Sequence, residues 1–145
     1  MLCRRRTFRF SIVLIAIALT SACGSKSDLD LYPAEGIVRY EGQPVAGATV
    51  VFTPATKSDE SQKDAQAETD ENGNFSVQTF DGKTYHPGIS PGDYLVTVTK
   101  LELPKDMRGQ PKHLLPKQYR STSSSTLKAN VSADADTQFE FELEK

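Results

Sequence analysis

Residues 88–100 read GISPGDYLVTVTK, and two incompatible folds compete for them. The first five letters spell G-x-S-x-G, the turn on which a hydrolase raises a nucleophilic serine between a strand and a helix. In that turn the backbone N–H of the residue after the serine helps complete the oxyanion hole. Here that residue is Pro91, which has no N–H to give. The next residues are not helical either: Tyr94, Val96 and Val98 alternate with Thr97 and Thr99, the period of a strand with one buried face. GISPG is therefore the approach to a strand, Pro91-Gly92-Asp93 is its turn, and Ser90 is a loop residue. The chain is all-β if the rest of it alternates in the same way.

It does so from about Ala34 onward. EGIVRY can bury Val38 and Tyr40, and ATVVFT sets Ala48, Val50 and Phe52 on one face. A weaker run, AQAET, precedes FSVQTF, which buries Phe75 and Val77 beside exposed Ser76 and Gln78. TLKANV offers Leu127, Ala129 and Val131, and QFEFELE sets Phe139, Phe141 and Leu143 against Gln138, Glu140 and Glu142. With turn residues between the runs, this predicts about seven short antiparallel strands and no amphipathic helix, the count of a single immunoglobulin-like β-sandwich. The Cys and Trp core marks of antibody domains are absent.

Between AQAET and FSVQTF, Asn72-Gly73 tolerates positive φ and predicts a tight hairpin that returns Phe75 to the core. Asp70-x-Asn72 opens like a calcium loop, but its glycine stands fourth rather than sixth, and the twelfth residue is Asp81 rather than glutamate. A hairpin turn is the better reading.

The segments in this order, GIVRYEGQPVAGATV from Gly36, TDENGNF from Thr69 and PGDYLVTV from Pro91, resemble the carboxypeptidase regulatory-like domain, a transthyretin-like sandwich common in bacterial lipoproteins. The resemblance runs from about Ala34 to Leu143. It implies a structural or binding module that is not a peptidase, and it brings no catalytic residues.

The N-terminus fits such a protein. Arg4, Arg5, Arg6 and Arg9 precede an uncharged run from Phe10 to Ala22, the n- and h-regions of an export signal. The run is too short for a membrane span, which takes about 20 apolar residues. Leu19-Thr20-Ser21-Ala22-Cys23 resembles the lipobox of bacterial lipoproteins, in which the cysteine is diacylated on sulfur and becomes the new N-terminus. Residues 1–22 are then a lipoprotein signal peptide, 23–33 the lipidated Cys23 and a polar tether, and 34–145 the β-sandwich domain. Arg5-Arg6-Thr7-Phe8 also fits the twin-arginine export pattern.

Losing four arginines and no acids with the signal takes the formal charge from −2 to −6. An acidic exported domain is a poor nucleic-acid binder, because that affinity rests on neutralising phosphates. Cys3 leaves with the signal, so no internal disulfide is expected. Two or three acyl chains would hold the protein firmly at a membrane. Gly24 carries no aspartate-type retention signal, which points to the outer membrane, on its periplasmic or surface face.

Enzyme chemistry finds little support. The two histidines, His86 and His113, lie far apart and in no zinc motif. Tyr85, His86, Tyr94, His113 and Tyr119 supply the ligand types of intradiol dioxygenases without their H-x-H pair. Tyr119-Arg120-Ser121 resembles the terminal Y-R-G-S of hydroxyisourate hydrolases without its glycine. No metal or other cofactor is expected.

The linker 101–126 is long for a plain connection. It carries Lys105, Arg108, Lys112, Lys117 and Arg120 against Glu102 and Asp106, a basic patch in an acidic protein that could dock an acidic polymer, lipid head groups or a protein surface. The plainer reading is a solvated loop pinned by Leu114, Leu115 and Tyr119. The expectation is a non-enzymatic, lipid-anchored cell-envelope protein whose sandwich is a structural or binding module for another envelope protein or polysaccharide. Its alternatives are a carbohydrate-binding module with Tyr85 or Tyr119 as platform, and a small envelope enzyme using the loops around His86 and His113.

Overall fold

Alternation predicts which side chains turn inward, and the computed structural model, which describes residues 29–56, 62–104, 109–133 and 137–145, reports where they go. The expected signal peptide, Cys23, Lys105 and Arg108 lie outside the described residues. Val38, Ala48, Val50, Phe52, Phe75, Val77, Tyr94, Val96, Val98, Ala129, Val131, Phe141 and Leu143 are all buried in one core. Tyr40, Leu127 and Phe139 are half-buried against it.

The described residues form twelve strand elements: β1 (Ala34–Tyr40), β2 (Gln43–Pro44), β3 (Thr49–Pro54), β4 (Ala65–Glu68), β5 (Asn74–Ser76), β6 (Gln78–Phe80), β7 (Tyr85–Pro87), β8 (Gly92–Thr99), β9 (Leu101–Glu102), β10 (Lys112–His113), β11 (Lys128–Val131) and β12 (Thr137–Leu143). The seven expected runs are all present. The surplus comes from elements of two or three residues in the linkers and from the division of FSVQTF at Val77.

One sheet sets β12 and β1 side by side, with β5 and β2 along the other flank of β1. The second runs β11-β8-β3-β4-β6-β7, and β9 and β10 form a separate two-stranded ribbon. Rings from both sheets meet in the middle. Phe52 of β3 lies 6.2, 5.5 and 6.2 Å, centroid to centroid, from Phe75, Phe139 and Phe141 of the first sheet, and Phe75 stacks on Phe141 at 6.0 Å. These separations suit offset and edge contacts, and they supply the sandwich with a core that needs neither disulfide nor tryptophan.

Three details differ from the sequence-based expectation. β1 and β12 pair in parallel, from Ala34↔Thr137 to Tyr40↔Leu143. Alternation reports which face a residue takes but not strand direction, and a parallel pair needs a long crossover, here the whole intervening domain. The turn after Thr69 is not a simple hairpin: β4 belongs to one sheet, while β5 pairs with β1 in the other. Gly73 takes φ +78 there and donates to Asp70 O, and the Asp70 carboxylate accepts from the Asn72 and Asn74 N–H groups.

The chain then passes from the first sheet to the second at Val77, whose N–H donates to Ala34 O while its carbonyl accepts from Gly88 N. Finally, Thr97, expected outward, is buried. β11 covers only Gly92–Leu95 of that side of β8. Beyond it the linker's 3₁₀ turn, Lys117–Arg120, packs against β8, and Ser125 and Leu127 bond to Val96.

Candidate binding surfaces

Ser90 settles as a structural residue of the strand approach. It is buried, and its carbonyl accepts a 2.8 Å hydrogen bond from the Tyr94 hydroxyl. This local bond from a sandwich tyrosine back to upstream backbone ties the turn to β8 in the manner of a tyrosine corner. Burial pushes the Tyr94 phenol up to about 12, with the Asp64 charge as a lesser cause.

The two histidines are not brought together. His86 sits on β7, the outermost strand of the large sheet, with β6, β4 and β3 between it and β8. Four strand spacings amount to about 19 Å, and His113 lies on the ribbon that begins past the far end of β8. His86 has a local partner: its Nε2 is 2.7 Å from Asp81 Oδ2, while Asp81 Oδ1 accepts from Lys83 N and Thr84 N. These bonds, led by the one from Thr84, hold the Asp81 carboxyl down to about 2. The arrangement closes the β6–β7 hairpin. Among the described residues no group of three or more His, Cys, Asp or Glu could hold a metal ion, and the Asp70 carboxylate is engaged with its own turn.

Two stretches expose apolar side chains. The first is the ribbon and its flanks, where Leu101, Leu103 and Leu114 face solvent, Leu103 at 71% exposure. Lys112 on β10 and Lys117 are exposed beside them. Arg120 is used differently, since its Nε and Nη2 both donate to Leu115 O, at 3.2 and 2.7 Å. Leu115 and Tyr119 are buried, and the Tyr119 hydroxyl accepts from Glu144 N just past β12. Part of the linker is thus pinned down, while the ribbon stands free of it.

The second is the β6–β7 hairpin. Phe80 and Tyr85 are directly paired across the strands, 44% and 49% exposed, with ring centroids 4.9 Å apart and a tilt of 41°. Tyr85 accepts a 3.0 Å hydrogen bond from Gln66 Nε2. Beside the pair, reached through Gln66 and Gln78, lies a shallow groove of about 500 Å³ lined by Thr49, Gln66, Ala67, Glu68, Ser76 and Gln78. It adjoins a larger open notch of about 590 Å³ where β4 and β5 diverge, bordered by Glu35, Glu68, Asp70, Gln138 and Glu140. Arg39 pairs with Glu140 at that border.

The model of DUF6795, a domain of unknown function, matches residues 34–99. The match spans β1 to β8 and ends where the ribbon begins. No curated protein matches the chain. Among solved structures, a DUF3823 family protein from Parabacteroides merdae shares 14% identity with a TM-score of 0.40, over 81% of this chain and 46% of its own. A 9R-lipoxygenase from Cyanothece shares 14% identity with a TM-score of 0.37, over 80% of this chain and 16% of its own. The chain spans less than half the length of either protein, and at these scores neither likeness bears on function.

Sequence reading found Tyr85 but missed its neighbour. Phe80 lies on the outward side with Ser76 and Gln78, the side that the alternation of buried Phe75, Val77 and Thr79 leaves to solvent. The buried Thr79 hydroxyl donates to Gly88 O at 2.8 Å. Tyr119 and Leu115 are buried, as expected of a linker pinned by them, which leaves Tyr119 no role as a sugar platform, whereas Leu114, expected to pin as well, is exposed.

Proposed function

We propose that this protein is a non-enzymatic cell-envelope module, tethered by a lipidated Cys23 to the outer membrane, whose sandwich of the carboxypeptidase regulatory-like type docks an acidic protein partner through the β9–β10 ribbon. The observation that carries the reading is the ribbon itself. Three of the five large apolar side chains exposed among the described residues gather on it and its flanks, next to Lys112 and Lys117. Glu102 stands directly opposite Lys112 on the ribbon, yet Lys112 and Lys117 leave the exposed leucines beside a net positive charge. This suits a partner that offers apolar contact beside acidic groups, with charge guiding the encounter and apolar burial supplying the affinity. Lys105 and Arg108, in the same linker by sequence, add to that charge.

Anchoring and docking are tested separately. Cys23→Ser releases the protein from membranes and abolishes acyl labelling; persistence of both refutes the anchor. For docking, a photocrosslinking residue at position 103 in intact cells gives a discrete adduct that the same residue at position 130, on β11, does not give. The adduct disappears in Lys112→Glu/Lys117→Glu. An adduct indifferent to charge reversal, or equal at both positions, refutes the acidic partner.

A further inference from the structure

We infer that the outer face of the large sheet, from the Phe80–Tyr85 pair along the groove toward Thr49, is a binding platform for a neutral polysaccharide strand. The platform is separate from the ribbon. Its aromatic end has no core role, since both rings stand outside the buried cluster, and nearly half of each faces water. Exposed aromatic surface of this kind, next to the groove through Gln78 on the same strand and Gln66 bonded to Tyr85, marks a binding position rather than packing. The Gln66 bond to the Tyr85 hydroxyl fixes one ring's orientation before any ligand arrives, which reduces the ordering cost of stacking.

The ligand class follows from the groove's chemistry. Register places Val51, Gln66, Gln78 and Pro87 in one row across β3, β4, β6 and β7, a run of about 14 Å at the usual strand spacing. In this row two primary amides stand between the rings and Thr49. An amide both donates and accepts, as a hydroxyl does, so the row matches a ligand whose vicinal hydroxyls do the same. An aromatic face carries partial negative charge and favours the electropositive C–H face of a pyranose ring.

Glu68 is the one charged side chain lining the groove. No cluster of cations is present among the described residues of the groove to recruit a phosphorylated or uronic polymer, and its aliphatic side chains, Val51, Ala67 and Pro87, are small and separated by the amides, which does not suit an acyl chain. A chain of neutral hexopyranose units, stacked at Phe80–Tyr85 and hydrogen-bonded by Gln78 and Gln66, satisfies all of these features.

Calorimetric titration of the full-length protein in detergent, with cellohexaose, laminarihexaose and maltohexaose as neutral probes and oligogalacturonate as the charged one, tests this. At least one neutral probe binds at millimolar concentration or better and more tightly than oligogalacturonate. Tyr85→Ala and Phe80→Ala each weaken that binding by about tenfold or more, while the ribbon variant Lys112→Glu/Lys117→Glu leaves it unchanged. In parallel, titrating the wild-type protein with the same probe shifts the backbone amide resonances of Gln66 and Gln78, a readout that survives if a variant misfolds. Absence of binding by every neutral probe, preference for oligogalacturonate, unchanged affinity in the folded ring variants, or resonance shifts confined to other parts of the molecule each overturn the inference.

Discussion

Replacing Tyr94 by Phe removes a single oxygen from the stretch that decides the fold, and the structure specifies what this costs. The ring stays, with its edge-on contact to Phe52 at 6.4 Å between centroids, so no cavity opens. What is lost is the 2.8 Å bond to Ser90 O, and Ser90 is buried. A buried carbonyl left without its donor costs about 1–3 kcal/mol. We expect about 2 kcal/mol, which in a domain of this size lowers Tm by roughly 8 °C and the urea midpoint by roughly 1 M. Ser90→Ala leaves the accepting backbone atom in place, so it costs distinctly less.

The same residue sets an alkaline limb. Its folded pKa is raised from 10.0 to about 12, so its contribution is complete below pH 10 and is lost as pH rises through 12, where the folded phenol also ionises. Urea unfolding of wild type, Tyr94→Phe and Ser90→Ala at pH 7, with the first two repeated between pH 9 and 12, measures both effects. In Tyr94→Phe the alkaline decline is shallower. A Tyr94→Phe protein as stable as wild type, or a Ser90→Ala protein less stable than Tyr94→Phe, refutes the reasoning.

Other expected outcomes rest on single contacts. Thr69 is buried, accepting from Ala48 N at 2.8 Å and donating to Val45 O at 2.6 Å; Thr69→Val strands both groups and costs about 2 kcal/mol by urea unfolding, whereas Thr69→Ser retains most of the stability. Gly36 on β1 has no room for a side chain, because a Cβ there would collide with Phe139 O and come within 2.6 Å of the Phe75 ring. Gly36→Ala therefore destabilises by about 3 kcal/mol in thermal melts, and trimming Phe75 to Leu does not restore it, since the carbonyl remains. The bonds of Asp81 to Lys83 N, Thr84 N and His86 depend on its ionised carboxylate, whose pKa is lowered from 3.8 to about 2. Their contribution is present above pH 3.8 and lost as pH falls through 2. In Asp81→Ala the Lys83 and Thr84 amides exchange faster than in wild type above pH 3.8, and unchanged exchange there contradicts the assignment.

Local chemistry made much of this legible. Pro91 after Ser90 removes an oxyanion donor wherever the segment sits, and the alternation of Tyr94, Val96 and Val98 specifies a buried face whatever its partners. The same period found the inward residues of β3, β11 and most of β12. It failed at Thr97, where facing depends on an event outside the strand: the linker that packs along β8 where β11 stops. Tyr119 was legible as a pin of the linker, but not its partner, Glu144 N just past β12, which lies 25 positions away in the chain.

The candidate surfaces divide in the same way. Composition announced the basic linker, but only contacts in space show that Arg120 serves Leu115 while Lys112 and Lys117 face solvent beside three leucines. Tyr85 stood out by residue type, whereas its pairing with Phe80 and its bond from Gln66 arise from the β4-β6-β7 register. By itself the sequence determined the strand periods, the turn residues and the exclusion of Ser90 as a nucleophile, because these depend on neighbours a few residues apart along the chain. Tertiary structure alone decided the parallel β1–β12 pair, the burial of Thr97 and the grouping of each exposed surface. These arise from contacts between residues tens of positions apart, which no local period encodes.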